Sequence, residues 1–420
     1  MNEQLTVKNF GPIKDATVDF KRVTVFIGPT GGGKSTLAKL KDIFRYRKNY
    51  IVDESISRHP RFDSFDAYNE HSLGNYFSNE TYLDYSTSIG SVEFKNNYHL
   101  ISLNMNYLRD NVKSSSTTIM EQLKSISERA NKAVVLQNEG KDYSEINKSI
   151  LEDVSLIIEK LEKIDSGENT REEFPKIIAP NNVWYCPSER IFVSALEYSW
   201  AGILRDDIGL PRSILAFANS FSISRKDITE LDIPLFNVKY IHSDGRDFIK
   251  IPEREEPLML LETASGIQSV TPMLVLLEHL SRQKEQVQSF IIEEPELNLY
   301  PTAQQGLMNW LVEKCTAGEN DLTITTHSPY ILSHLNLLLY AYQVAENHPD
   351  RADDVAKLVP RESWINPKEF ACYQVEGGGV QSLVDEDLGL IDNNELDALS
   401  GDAADAFDNL IRLSKSVAVK

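Results

Sequence analysis

Cysteine is scarce in this chain: three in 420 residues, Cys186, Cys315 and Cys372, odd in number and far apart. That excludes a disulfide framework and a closely spaced zinc motif, and leaves reduced, buried thiols as the expectation. Long apolar runs are missing too, and none approaches the roughly 20 residues of a membrane-spanning helix. Met1, Asn2, Glu3 and Gln4 lack the cationic start and apolar stretch of a secretory signal. The expectation is a soluble, cytoplasmic protein with no membrane partner. Positive charge is in deficit, 43 Lys and Arg against 63 Asp and Glu, for a formal net charge of −20. Sequence-independent DNA affinity comes mainly from Lys and Arg displacing phosphate counterions, so a uniformly basic nucleic-acid surface is excluded and only a local patch stays open.

What is present is an ordinary globular balance, 41% hydrophobic and 25% charged, over a length that accommodates two or three packed units. The acid is concentrated late. Asp385, Glu386, Asp387, Asp392, Glu395, Asp397, Asp402, Asp405 and Asp408 lie in a stretch without Lys or Arg. It reads first as a solvated face, with a docking surface for a basic partner as the alternative.

Residues 5–7 and 16–20 read as short strands joined through the turn-forming Asn9-Phe10-Gly11-Pro12. Residues 23–27 are continuously apolar or β-branched, as in a strand buried on both faces. Strands are also expected at 183–186, 258–261, 288–292 and 322–325, with helical segments at 267–280 and 304–312 between them. That alternation indicates an α/β core with a largely parallel sheet. Between these regions, Ile119, Leu123, Ile126, Ala130 and Ala133, then Ile146, Ile150, Val154, Ile157, Leu161 and Ile164, recur at helical spacing around Gly140. The pattern predicts a helical hairpin, either projecting or packed on the main body.

Directly after the buried strand comes Gly28-Pro29-Thr30-Gly31-Gly32-Gly33-Lys34-Ser35, followed by Thr36 on a helix. This is a full phosphate-binding loop in its required context of strand, loop and helix. Glycines let backbone N–H groups turn inward around phosphates, Lys34 reaches the β and γ phosphates, and the Ser35 hydroxyl coordinates Mg²⁺. The strand at 288–292 runs into Glu293-Glu294-Pro295-Glu296. Carboxylates at the C-terminal edge of a parallel sheet face the ligand crevice, so Glu293 is the metal candidate and Glu294 the general base. The strand at 322–325 leads to Thr326-His327-Ser328-Pro329, which puts His327 in reach of a γ phosphate and an attacking water. Finally, Ser265-Gly266-Ile267-Gln268 opens a helix whose free N–H groups and positive dipole end suit a phosphate, or form a simple cap.

These four motifs, in this order, resemble the ABC-type ATPases of the SMC, RecF and OLD-nuclease kind, particularly their compact bacterial relatives. The opening Leu5-Thr6-Val7-Lys8-Asn9-Phe10-Gly11-Pro12 is similar to that group's first strand. Ser265-Gly266-Ile267-Gln268 looks like a divergent signature motif, Glu293 and Glu294 like its Walker B pair, and His327 like its switch histidine. Ile267 stands where the general pattern has a second glycine, and Asn298 and Tyr300 stand where relatives often have histidines. Pro187-Ser188-Glu189-Arg190 resembles a motif of the compact relatives, and a structural ion pair of Arg190 is an equal reading.

The resemblance implies a P-loop ATPase fold of ABC type carrying the hairpin as an insertion. The domain plan it gives is residues 1–116 and 166–345 as the two parts of the ATPase domain, 117–165 as the hairpin and 346–420 as an acidic extension. It implies ATP and Mg²⁺ as cofactors and a head-to-tail homodimer or higher oligomer, in which the Ser265 helix start, on another lobe, caps the γ phosphate of the opposite subunit. Compact relatives are often the nucleotide-dependent half of bacterial anti-phage or toxin-like systems whose other half is a nuclease. Fewer than 100 residues follow His327, so the expectation is an effector in trans, a nuclease or toxin. Two alternatives stand beside this switch: a low-turnover, ATP-bound scaffold that sequesters an effector, and a DNA-binding repair ATPase. The last rests on Lys39, Lys41, Arg45, Arg47 and Lys48 interleaved with Phe44, Tyr46 and Tyr50, which read otherwise as a helix face folded against the ATPase body.

Overall fold

The computed structural model describes residues 3–45, 50–52, 60–62, 64–88, 90–95, 98–103, 182–195, 210–283, 287–392 and 406–411. In chain order the first elements are β1 (Glu3–Phe10), β2 (Ile13–Phe20), β3 (Val23–Ile27) and α1 (Lys34–Arg45). Then come β4 (Tyr50–Val52), β5 (Pro60–Phe62), α2 (Ser64–Glu70), β6 (Tyr82–Ser86), β7 (Gly90–Lys95) and β8 (Tyr98–Leu103). β9 (Asn182–Cys186), α3 (Ile191–Ala195), α4 (Arg212–Asp227), β10 (Glu230–Ile233), β11 (Val238–Ser243), β12 (Arg246–Lys250) and β13 (Leu258–Met259) follow. The remainder is α5 (Ser265–Ser281), β14 (Gln288–Glu293), α6 (Pro301–Cys315), β15 (Asp321–Thr325), α7 (Pro329–Asn347), α8 (Ala352–Leu358), β16 (Phe370–Glu376) and β17 (Gly379–Ser382). The hairpin expected over 117–165 lies outside the described residues.

The chain forms two compact units, one made of residues 1–10, 17–19 and 40–183, the other of 11–16, 20–39 and 184–420. In the first, β1, β6, β7 and β8 pair antiparallel in that order. Its core is aromatic: Phe77 meets Phe10, Tyr68 and Phe94 at ring separations of 5.0, 4.8 and 4.8 Å. A buried polar knot lies in the same unit, where Arg45 pairs with Glu3 and donates from Nε to the Tyr85 hydroxyl at 3.1 Å. Phe44 stacks on Tyr85 at 5.3 Å, and Lys41 is fully buried. Lys41, Phe44 and Arg45 thus lie on a helix face folded into the interior, the alternative to an exposed track for a nucleic-acid backbone.

The second unit is built on a six-stranded sheet of order β17-β16-β3-β15-β14-β9, the central parallel sheet of an α/β fold. β16, β3, β15 and β14 are mutually parallel. β3, β14 and β15 are buried along their whole length, which is why their central residues are apolar or β-branched, with the polar Gln288, Glu293 and Asp321 confined to strand ends. Helices α5, α6 and α7 bury Met273, Leu277, Leu307, Leu311, Leu335 and Leu339 in the same core. β10 to β13 form a separate antiparallel sheet in which the buried Asp247 accepts from Arg225 at 2.7 Å and Tyr240 at 2.5 Å.

Two expectations change. The strand expected over 258–261 stops at Met259, where a 3₁₀ turn takes over. Residues 346–392 are no appendage: β16 lies directly beside β3, with Cys372 opposite Val25, so this late segment completes the sheet. Asp385 there accepts from the backbone N–H groups of Asp387 and Leu388, a local turn, while Glu386 and Asp387 face solvent.

Ile324 is fully buried near the end of β15, between β14 and β3. Ile324→Ala should lower stability by about 2–5 kcal/mol through lost transfer energy and a residual cavity. Urea unfolding followed by tryptophan fluorescence checks this, since Trp184, Trp310 and Trp364 all lie in the second unit.

Candidate functional site

Register decides where the motifs meet. Glu293 is paired with Thr325, and Thr325 with Phe26, so β14, β15 and β3 end level at one edge of the sheet. From that edge leave the glycine loop 28–33, the turn 294–298 and the loop 326–328. Gly28 has φ +136°, and a Cβ there would come within 2.3 Å of the Val375 carbonyl oxygen; at Gly32 the same oxygen would lie at 2.6 Å. Gly33, at φ +111°, packs against Ile13 with only 2.4 Å for a Cβ. The loop is therefore pressed onto the backbone of β16 on one side and onto Ile13 on the other, and only glycine fits.

Lys34 opens α1 and is 4% exposed. Its ammonium donates to the carbonyls of Gly28 at 2.9 Å and Pro29 at 3.1 Å. Burial lowers its pKa, opposed by the nearby carboxylates of Glu294, Glu296 and Glu293. Ser35 is half-buried and Thr36 buried on the first turn of the same helix, while Pro29, Thr30 and Gly31 are exposed.

Glu293 is 3% exposed, and its Oε1 has no hydrogen-bond partner among the described residues. A buried carboxylate oxygen without a donor, beside the half-buried hydroxyl-bearing first turn of α1, fits a hard divalent cation. Glu294 sits at φ +42°, an uncommon left-handed conformation for a side chain of its size. Its Oε1 lies 3.1 Å from His327 Nε2, and both side chains stay partly exposed. The expected base and the expected histidine thus stand side by side at ion-pairing distance.

Residues that sequence reasoning left unassigned hold this pair. Glu296 accepts through one oxygen, Oε1, from the Thr326 hydroxyl at 2.6 Å and the His327 N–H at 2.9 Å. Gln304 joins the same two loops, donating to Leu299 O at 3.1 Å and accepting from the Ser328 hydroxyl at 2.5 Å. The buried Arg190 donates to the carbonyls of Glu293 and Glu294 at 2.7 and 2.8 Å, so it braces the acidic turn and makes no ion pair among the described residues. The third acid in Glu293-Glu294-Pro295-Glu296 was the one signal in the sequence; Gln304 and Thr326 carried none.

The Ser265 helix start is not on a separate lobe, as expected, but in the same unit as the glycine loop, because α5 buries its apolar residues in the core shared with β3 and β14. Ser265 is exposed, and Ala264 before it offers no side-chain cap. A Cβ on Gly266 would lie 2.7 Å from Asn298 O, which fixes this start against the turn after the acids. The Gln268 amide donates to Leu261 O and Thr263 O at 3.0 and 2.6 Å, so its side chain locks the preceding loop.

A family model described as AAA ATPase domain matches residues 48–332, more than half of the chain. No curated protein matches. Among solved structures, the SMC head domain from Thermotoga maritima is 12% identical, with 91% of this chain and 98% of that chain covered at a TM-score of 0.37. The Smc head domain with an extended coiled coil bound to the C-terminal domain of ScpA, from Pyrococcus furiosus, is 10% identical, with coverages of 90% and 94% and a TM-score of 0.36. The recombination mediator protein RecF is 12% identical, with coverages of 91% and 98% and a TM-score of 0.32. Among the described residues no helix is long and apolar enough to cross a membrane.

Burial raises the Glu296 pKa above the ordinary 4.5, against the pull of its two donors. A carboxyl whose pKa is raised on folding stabilises most when protonated, and that contribution fades as pH climbs from its unfolded pKa through its folded one. Glu296→Gln can keep both accepted bonds at one oxygen and never ionises. Its melting temperature relative to the unaltered protein should therefore rise as pH increases from 4.5, in a series of thermal melts. A difference independent of pH would contradict the burial argument.

Proposed function

The chain belongs to the AAA ATPase domain family, and from that premise we propose that Lys34, Glu293, Glu294 and His327 are the working residues of a Mg²⁺-dependent ATPase switch that controls a partner effector. The observation that carries the reading is the Glu294–His327 pair, 3.1 Å apart, beside a buried lysine that opens a helix behind a glycine loop.

Each residue has a task that its surroundings suit. Backbone N–H groups of the loop and of the first turn of α1 receive phosphate oxygens, helped by the positive end of that helix. The Lys34 ammonium, held at the loop by two carbonyls, exchanges them for the β and γ phosphate oxygens, a charge-assisted and therefore stronger partner. Ser35 and the unsatisfied oxygen of Glu293 would hold Mg²⁺. When bound, that ion neutralises charge developing on the transferred phosphoryl group. Glu294 accepts the proton of the attacking water, and His327, beside its carboxylate, attracts and helps aim it.

The exposed, uncapped start of α5 supports a site closed by a second copy of the chain, since a helix N-terminus attracts the γ phosphate of a facing subunit. ATP-dependent closure of such a homodimer is the switch, and the effector it controls is a nuclease or toxin in a bacterial anti-phage system.

Glu294→Gln should bind ATP with unchanged affinity and lose at least about a hundredfold in turnover, as expected when a general base is removed. Lys34→Ala should lose ATP binding in calorimetry. Wild-type turnover in Glu294→Gln would remove the base assignment, and tight ATP retention without turnover in the unaltered protein would mark a sequestering scaffold instead.

Mixing Lys34→Ala with Ser265→Arg, each inactive alone, should restore part of the hydrolysis if sites are shared, because one site of the mixed dimer then carries both lesions and the other none. No recovery under verified subunit exchange, together with no ATP-dependent association by light scattering, would end the shared-site reading.

A further inference from the structure

Arg190 is fully buried, yet among the described residues its guanidinium faces carbonyl oxygens and no carboxylate. Nη1 donates to Pro187 O at 3.2 Å and Glu293 O at 2.7 Å; Nη2 donates to Glu294 O at 2.8 Å and Pro295 O at 3.1 Å. Its Nε has no hydrogen-bond partner among the described residues, and a buried cation met only by main-chain dipoles is costly. What it gains is geometry, because a planar fork that captures three successive carbonyls determines the path of the turn they belong to.

That turn contains strain. Glu294 at φ +42° occupies a left-handed conformation that is strained for a residue with a Cβ and persists only where the surroundings over-determine it. Glu294 N donates to Thr325 O at 2.9 Å, and Arg190 takes Glu294 O from the other side. Between these two holds, the carboxylate is turned to His327.

Four residues after Arg190 the same segment is anchored a second time. The Ser194 hydroxyl donates to Gln268 O at 2.7 Å. Pro272 stands inside α5 four residues beyond Gln268 and has no N–H to give that carbonyl, so the orphaned acceptor is taken by Ser194. The segment from Pro187 to Ser194 is thereby pinned at one end to the acidic turn and at the other to the first turns of α5.

We propose that Arg190 is a positioning residue for ATP hydrolysis, setting the backbone turn that aims Glu294, and that through Ser194 it ties this turn to the start of α5. A displacement of that helix start then reaches the base through a short, doubly anchored link, so that closing on the γ phosphate and aiming Glu294 occur together. The proposal rests on Glu294 being the base.

Steady-state hydrolysis and ATP affinity are measured for the unaltered protein, Arg190→Lys, Ser194→Ala, Glu294→Gln and the double variant Arg190→Lys/Glu294→Gln. Lysine keeps the charge but not the fork, so Arg190→Lys should lower kcat by about 10- to 100-fold, the range expected when a reacting group is misplaced by an ångström. ATP affinity should stay within about threefold, since Lys34 and the glycine loop are untouched. Because Arg190 acts through Glu294, the double variant should be no slower than Glu294→Gln alone. A kcat loss that multiplies in the double variant, or an unchanged kcat in Arg190→Lys while Glu294→Gln is inactive, overturns the proposal without touching the base assignment. Should Arg190→Lys fail to fold, Ser194→Ala decides: a several-fold lower kcat at unchanged ATP affinity supports the link, and an unchanged kcat overturns it.

Discussion

The parallel hydrogen-bond register of β14, β15 and β3 is the constraint on which the rest depends. Because Glu293, Thr325 and Phe26 stand level, the three loops that follow these strands leave from one edge, and chemistry separated by nearly 300 residues is gathered there. The register is secured by burial on both faces. Slipping one strand by a residue would put every side chain on the opposite face and misplace Glu293 at the same stroke.

Given that edge, the local conformations are strained in ways that packing has to hold. Gly28 and Gly33 take positive φ with backbone or Ile13 pressed against them, and Glu294 and Asn298 take positive φ despite carrying side chains. At Glu294 and Asn298 this costs on the order of 1–3 kcal/mol each, met from the surrounding core, whereas the glycines take it without a Cβ clash. Around them sit Lys34, Glu293, Glu296 and Arg190, four ionisable groups in a largely dry setting. Low dielectric makes their geometry consequential: Glu296 ties the histidine loop to the acidic turn, and Arg190 ties that turn to the segment before α3.

The first unit follows different physics. Its sheet is antiparallel and its core is aromatic, with edge-on contacts among Phe10, Tyr68, Tyr76 and Phe77. The charged residues of late α1 serve this interior. Arg45 is held by Glu3 and Tyr85, and Asp42 faces His71 at 2.7 Å. A basic and aromatic sequence thus has a structural explanation, and its amphipathic spacing alone carried no information about which face would be covered.

By itself the sequence determined what is local. β3 matches the expected bounds, β14 and β15 lie within a residue of them, and the glycine loop, Lys34, Glu293, Glu294 and His327 are all where strand–turn logic put them, because burial on both faces writes a continuous apolar run and phosphate loops need glycine at fixed positions. Tertiary structure decided what is not local. That β16, more than 340 residues after β3, lies beside it was invisible, since residues 370–376 fell in what looked like an acidic extension and pairing partners leave no mark in a single sequence. The same holds for Arg190 and Glu296. Their residue types looked like solvated charge or an ordinary ion pair, and only the packed core turned one into a clamp on three carbonyls and the other into a buried acceptor for the histidine loop. Hydrogen-bond partners of a buried charge are set by which loops share a sheet edge, and that edge exists only once the strands have found their register.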